Sequence, residues 1–125
     1  MTDAVVADAV LGPTTYHLAP RETWEAWEAG DRALSYAAAS LASEGFIHCT
    51  DGASEMVATA NRHYADDRRA FVVLTVDLGR LTSPWRHDEP GSPYPHLYGP
   101  IEREAIVRVI PAPRDDEGRF LEFES

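Results

Sequence analysis

A chain of 125 residues that is 44% hydrophobic and 10% aromatic has the length and apolar content of a single folded domain, which excludes wholesale disorder. Its 21 acidic against 11 basic residues give a formal charge of -10, so the surface repels polyanions and anionic lipid, and nucleic acid is an unexpected partner. A local basic pocket for a small anion stays open, because such a ligand feels the nearest side chains most. The single cysteine, Cys49, excludes an internal disulfide and a cysteine-rich metal framework, which points to a reducing compartment and a cytoplasmic location.

In chain order, residues 1–12 carry Asp3 and Asp8, lack the basic start of a signal peptide, and read as a frayed end or short extra strand before a core over residues 14–123. Residues 14–19 form a β-rich stretch ending at Pro20, a residue suited to the first turn of a helix because it has no N–H to satisfy. The segment 21–29 places Trp24 and Trp27 three apart on a helix that rests them on a sheet, with Gly30 as a left-handed stop. Residues 31–42 fit helix or loop equally. Glu44-Gly45 marks a turn before a strand over 46–50, and Asp51 caps the next helix, where Ala53, Met56, Val57, Ala60 and Tyr64 recur at helical spacing.

Residues 71–78 are nearly continuous β-branched and apolar, the pattern of a central strand covered on both faces. Proline and glycine then crowd residues 79–100, which excludes a long helix and implies loops with short strands. Residues 105–110 read as a strand, and Asp116-Glu117-Gly118 as a turn into a last strand over 119–123. No apolar run approaches the length of a membrane span, and no repeat or linker interrupts the chain. The order predicts one α+β domain with a strongly bent mixed sheet and two or three helices.

Strand alternation puts Tyr16 and Leu18 on one face and His17 on the other. It likewise sends Ile47 and Cys49 to the core and leaves Phe46, His48 and Thr50 together opposite. If the two strands pair, His17 and His48 enter one cleft. The same alternation turns His48 and Cys49 apart, which weighs against a Cys–His dyad and favours a buried thiol. In Tyr94-Pro95-His96-Leu97-Tyr98-Gly99-Pro100 an imidazole and two phenols sit on a backbone stiffened by proline. The bland reading of His96 is a packed loop residue bonded to backbone. Five histidines with Asp88 and Glu89 show no metal-ligand spacing, so no metal is expected; His63 and His87 read as surface residues, and Glu102 as part of a solvated turn.

Three motifs in this order, Tyr16-His17-Leu18, the run 40–50 ending Phe46-Ile47-His48-Cys49-Thr50, and Pro95-His96-Leu97-Tyr98-Gly99-Pro100, resemble the domain-of-unknown-function-952 family of small bacterial proteins. That family is distantly similar to the ADP-ribosyltransferase fold, in the branch of the RNA 2′-phosphotransferases, which hold NAD in the cleft of a split, bent sheet. The resemblance implies that His17 and the pair His48 and Thr50 hold the dinucleotide, with His96 or Tyr98 closing the pocket. Tyr98, or Tyr16 if the strand faces reverse, would stack the nicotinamide. The charge-stabilising glutamate of many such transferases has no counterpart at Tyr98-Gly99-Pro100, so binding is the firmer expectation than transfer. Two other classes stay open: a non-catalytic module binding another small metabolite or a partner segment, and an acid–base hydrolase or isomerase working through His17, His48 and His96.

Overall fold

The computed structural model describes residues 12–30 and 35–124. The readings of residues 1–11 and 31–34 therefore lie outside the described residues. Among those described, three helices and two small antiparallel sheets form an α+β architecture. In place of a mixed sheet, every strand pairing described is antiparallel.

Strand β1 (Thr14–Pro20) pairs along its full length with β3 (Phe71–Asp77), from Thr14 opposite Asp77 to Pro20 opposite Phe71. On its far side β3 pairs with β6 (Ile106–Pro111), with a register shift between Thr75 and Val76. The continuous apolar run of β3 has the expected consequence: all seven residues are buried in the middle of the sheet. Alternation divides them between two cores. Val72, Leu74 and Val76 join Trp24, Tyr36, Ile47 and Leu97 on one face, while Phe71 and Val73 join Tyr16, Met56, Ala60 and Phe120 on the other.

Helix α1 (Arg21–Ala29) buries Trp24 and half-buries Trp27, their rings 4.9 Å apart and both against Tyr36. Pro20 stands one position ahead of the helix, in extended geometry that continues β1, rather than inside the first turn. Gly30 closes the helix through its N–H to Trp27 O at φ -91, so the expected left-handed stop is not used. It is used at Gly45, φ 90, which ends α2 (Ala39–Glu44). Helix α3 (Ala53–Tyr64) follows Gly52 at φ 87, with no side-chain cap; Asp51, expected there, spends its carboxylate on His87. Met56 and Ala60 carry the buried stripe of α3, whereas Tyr64 is exposed.

The second sheet is a row of two-residue strands in the order β2 (Ile47–His48), β5 (His96–Leu97), β4 (Trp85–Arg86). Only the middle of the expected 46–50 strand is laddered. One paired bridge joins the two sheets: Tyr16 N–H donates to Thr50 O at 3.0 Å and Thr50 N–H to Tyr16 O at 2.8 Å. The expected last strand over 119–123 reduces to one bridge, Arg114 opposite Phe120. Asn61 on α3 holds that segment instead, donating to Phe120 O at 3.0 Å and accepting from Phe120 N at 2.7 Å.

Candidate functional site

A cleft of about 1100 Å³ runs between β1, the start of α2, β2, α3 and the 88–96 loop. It is large enough for a dinucleotide-sized ligand. His17, His48, Thr50 and His96, singled out from the sequence, all line it.

His17 is 6% exposed on the face of β1 opposite Tyr16. Its Nδ1 lies 2.8 Å from His48 O. A carbonyl can only accept, so Nδ1 carries the proton and Nε2 the lone pair. Burial pushes the His17 pKa down, only partly opposed by the bond to His48, so the ring is neutral near pH 7. Strand alternation and one bridge thus bring the His17 ring to the backbone of His48, while the His48 ring itself turns outward and is half exposed. Thr50 is buried beside Tyr16, fixed by the bridge between the sheets.

His48 and His96 are direct register partners on β2 and β5, and Arg86 on β4 is the next in the row. The opposite face of the same row is Ile47, Leu97 and Trp85, packed in or against the core. Burying that apolar face therefore determines that the imidazoles of His48 and His96 share the outer face, with ring centroids 5.9 Å apart. Phe46 lies over them, stacked on His96 at 3.9 Å and edge-on to His48 at 4.8 Å.

Each ring is tied to a carboxylate. His48 Nε2 donates to Glu44 Oε1 at 3.1 Å, and His96 Nδ1 donates to Asp88 Oδ2 at 2.7 Å. Asp88 also accepts from the Tyr98 hydroxyl and from Arg86 Nε, the latter at 2.5 Å. The Tyr98 bond and then the Arg86 contact hold the Asp88 carboxyl at about 2. The His96 ring, on β5, is thereby bonded to a side chain, not to backbone. Its loop is pinned from the far side by His87 Nε2 to Asp51 Oδ2 at 2.7 Å, and by Asp51 N–H to Pro93 O.

Tyr98 is not among the residues that line the cleft. Arg86 covers its ring at 4.4 Å and its hydroxyl is spent on Asp88. Tyr16 does line the cleft, its ring in edge contact with Phe123. Cys49 is buried with its thiol pKa pushed up by that burial, an inert core residue facing away from His48. Glu102 accepts from Thr82 N–H on a surface turn, away from the cleft. Among the described residues no group of three His, Cys, Asp or Glu side chains is placed to hold a metal ion, and no helix is long and apolar enough to cross a membrane.

Tyr94 is one of the two phenols expected on the rigid 94–100 loop, whereas Arg62 is not among the residues the sequence singles out. The Arg62 guanidinium reaches the Tyr94 hydroxyl at 2.8 Å and Thr59 Oγ1 at 3.5 Å, and both arginine and tyrosine line the cleft. Among the described residues Arg62 has no carboxylate partner, unlike Arg69 nearby, which is neutralised by Asp67 at 2.7 Å. Arg62 occupies the polar side of an amphipathic helix, where nothing in the local pattern separates a ligand-facing cation from a solvated one.

Two small antiparallel sheets joined through the Tyr16–Thr50 bridge, with a cleft lined by His17, His48 and His96, make up an α+β domain. The family described as Protein of unknown function (DUF952) matches residues 18–109, and the chain belongs to it. Its fold is similar to that of protein CC0527 from Caulobacter crescentus. The crystal structure of that protein is 25% identical at a TM-score of 0.65, over 86% of this chain and 93% of that one. A double mutant of CC0527 gives 24% and 0.65 over the same shares, and its solution structure 25% and 0.62 over 84% and 89%. No curated protein matches the chain.

Proposed function

We propose that the cleft binds NAD or a closely related nucleotide. The observation that carries this reading is His17, a neutral imidazole at the wall of the cleft whose Nδ1–H is fixed on a backbone carbonyl, so that Nε2 is a preset acceptor for a ribose hydroxyl. The resemblance of the His17 and His48-Cys49-Thr50 motifs to the dinucleotide-holding strands of ADP-ribosyltransferase-like folds supports it. Arg62 supplies the cation a pyrophosphate needs, a local exception to the charge of -10. Bound NAD would bring a nicotinamide–ribose bond that can be broken. Tyr98-Gly99-Pro100 offers no carboxylate for the positive charge that develops there, and the proposal is therefore one of binding.

Thermal unfolding with NAD, ADP-ribose and AMP tests it. At a ligand concentration near 100 times Kd the stabilisation is about 2.7 kcal/mol. His17→Ala removes one acceptor and Arg62→Ala a charge-assisted contact, and the latter should weaken binding by roughly tenfold or more. If millimolar concentrations of all three ligands leave both the Tm and the histidine NMR signals unmoved, the reading is wrong. Nicotinamide release lost on His17→Ala would extend it from binding to transfer.

A further inference from the structure

The His48–His96 pair is separate from the His17 lone pair and has its own geometry. The carboxylates dictate the tautomers. Glu44 takes the Nε2–H of His48, so Nδ1 is the nitrogen left for a ligand; Asp88 takes the Nδ1–H of His96, so Nε2 is the one left there. Two imidazoles 5.9 Å apart, each held by its own carboxylate, have the arrangement of an acid and a base that serve one reacting centre.

The surrounding charges separate their roles. Among the described residues Glu44 has His48 and no arginine as its ion-pair partner, and can pair with an imidazolium. Asp88 divides its charge among Arg86, Tyr98 and His96, and serves mainly to orient the His96 ring. Among the described residues His17 and His96 are the other imidazoles near His48, and Arg86, beyond His96 in the same row, is paired with Asp88.

An acid and a base acting together suit a substrate whose attacking oxygen starts protonated and whose leaving oxygen ends protonated. Arg62 selects an anion among such substrates, and it is tethered to the His96 segment through Tyr94, two residues before His96 on the same loop. Resting on the reading of the cleft as a nucleotide site, we infer that the His48–His96 pair cleaves a phosphodiester of a nucleotide, with a 2′,3′-cyclic phosphate as the simplest case. His96 Nε2 takes a proton from water as the water oxygen bonds to phosphorus. The bond from phosphorus to one ribose oxygen breaks, and that oxygen keeps the electron pair and receives the proton from His48 Nδ1. The product is a phosphomonoester, and proton exchange with solvent resets both rings. Arg62 meets the charge on the phosphoryl oxygens, and Glu44 and Asp88 are positioning residues.

Incubation of the protein with 2′,3′-cyclic AMP, followed by phosphorus NMR, tests the inference. The expected result is a single monoester isomer and a bell-shaped dependence of rate on pH. His48→Gln and His96→Asn should each lower kcat by about 10²- to 10⁴-fold. Both positions lie off the core, so a retained Tm shows that each variant is folded, and a fall in kcat at saturating substrate separates loss of chemistry from loss of binding. Asp88→Asn should lower kcat and displace one limb of the pH profile, which a purely structural role would not do. Stabilisation by AMP without any turnover overturns this inference and leaves the nucleotide reading standing. Turnover unchanged in His96→Asn overturns it equally, and failure of every nucleotide to stabilise the protein removes both.

Discussion

His17 shows how one residue can carry a pH dependence for the whole domain. Its pKa is pushed below 6.5 by burial, so the unfolded chain takes up a proton before the folded one does. The stability this neutral ring contributes is fully present above pH 6.5 and is lost as pH falls below it, toward the depressed folded value. Asp67 and Asp88, held at about 2, add nothing to the slope there, since their protonation belongs to a more acidic range. Urea midpoints between pH 7.5 and 5 should therefore fall more steeply in the native protein than in His17→Gln, whose amide can still donate to the His48 carbonyl. Equal slopes would show that His17 is not buried as a neutral ring.

At the scale of elements, Arg114 ties the end of α3 to the segment that follows β6, beside the bonds of Asn61 to Phe120. Arg114 donates to Tyr64 O, Ala65 O, Asp67 O, Arg69 O and Gly118 O, at 2.6 to 3.4 Å, and its guanidinium lies 4.2 Å over Phe120. It serves where a final strand would otherwise supply a ladder. Arg114→Ala leaves several carbonyls without their donor and should cost about 2–3 kcal/mol in denaturant unfolding. Arg114→Lys, a point charge without the planar fork, should recover only part of that. A loss below about 0.5 kcal/mol would mean that Asn61 alone anchors the segment.

For the molecule as a whole, β3 belongs to both hydrophobic cores, so neither can be lost while the other stays packed. Leu74→Ala on one face and Val73→Ala on the other should each lower a single unfolding transition, the former by about 2–5 kcal/mol. Trp24, Trp27 and Trp85 report on the first core alone, while far-UV dichroism reports on α3 as well. Their thermal midpoints should coincide in the native protein and in both variants. Separated midpoints would show two units that unfold independently.

Apolar periodicity by itself determined the α+β class, the buried central strand, the stripe on α3 and the opposed faces of His17 and Tyr16 and of His48 and Cys49. Each of these follows from burying a local pattern, and needs no knowledge of a distant partner. Conformational detail at element ends was less legible: the chain carries a left-handed stop at Gly45 and not at Gly30, and Asp51 and residues 119–123 meet tertiary partners that displace the expected cap and strand. Only the tertiary structure decided that His48 faces His96, that Asp88 and Glu44 set their tautomers, and that Arg62 enters the cleft beside Tyr94. Those contacts join residues in separate two-residue strands and loops. Strands that short carry too little pattern to specify a register, and the register comes from closing Ile47, Leu97 and Trp85 over a shared core.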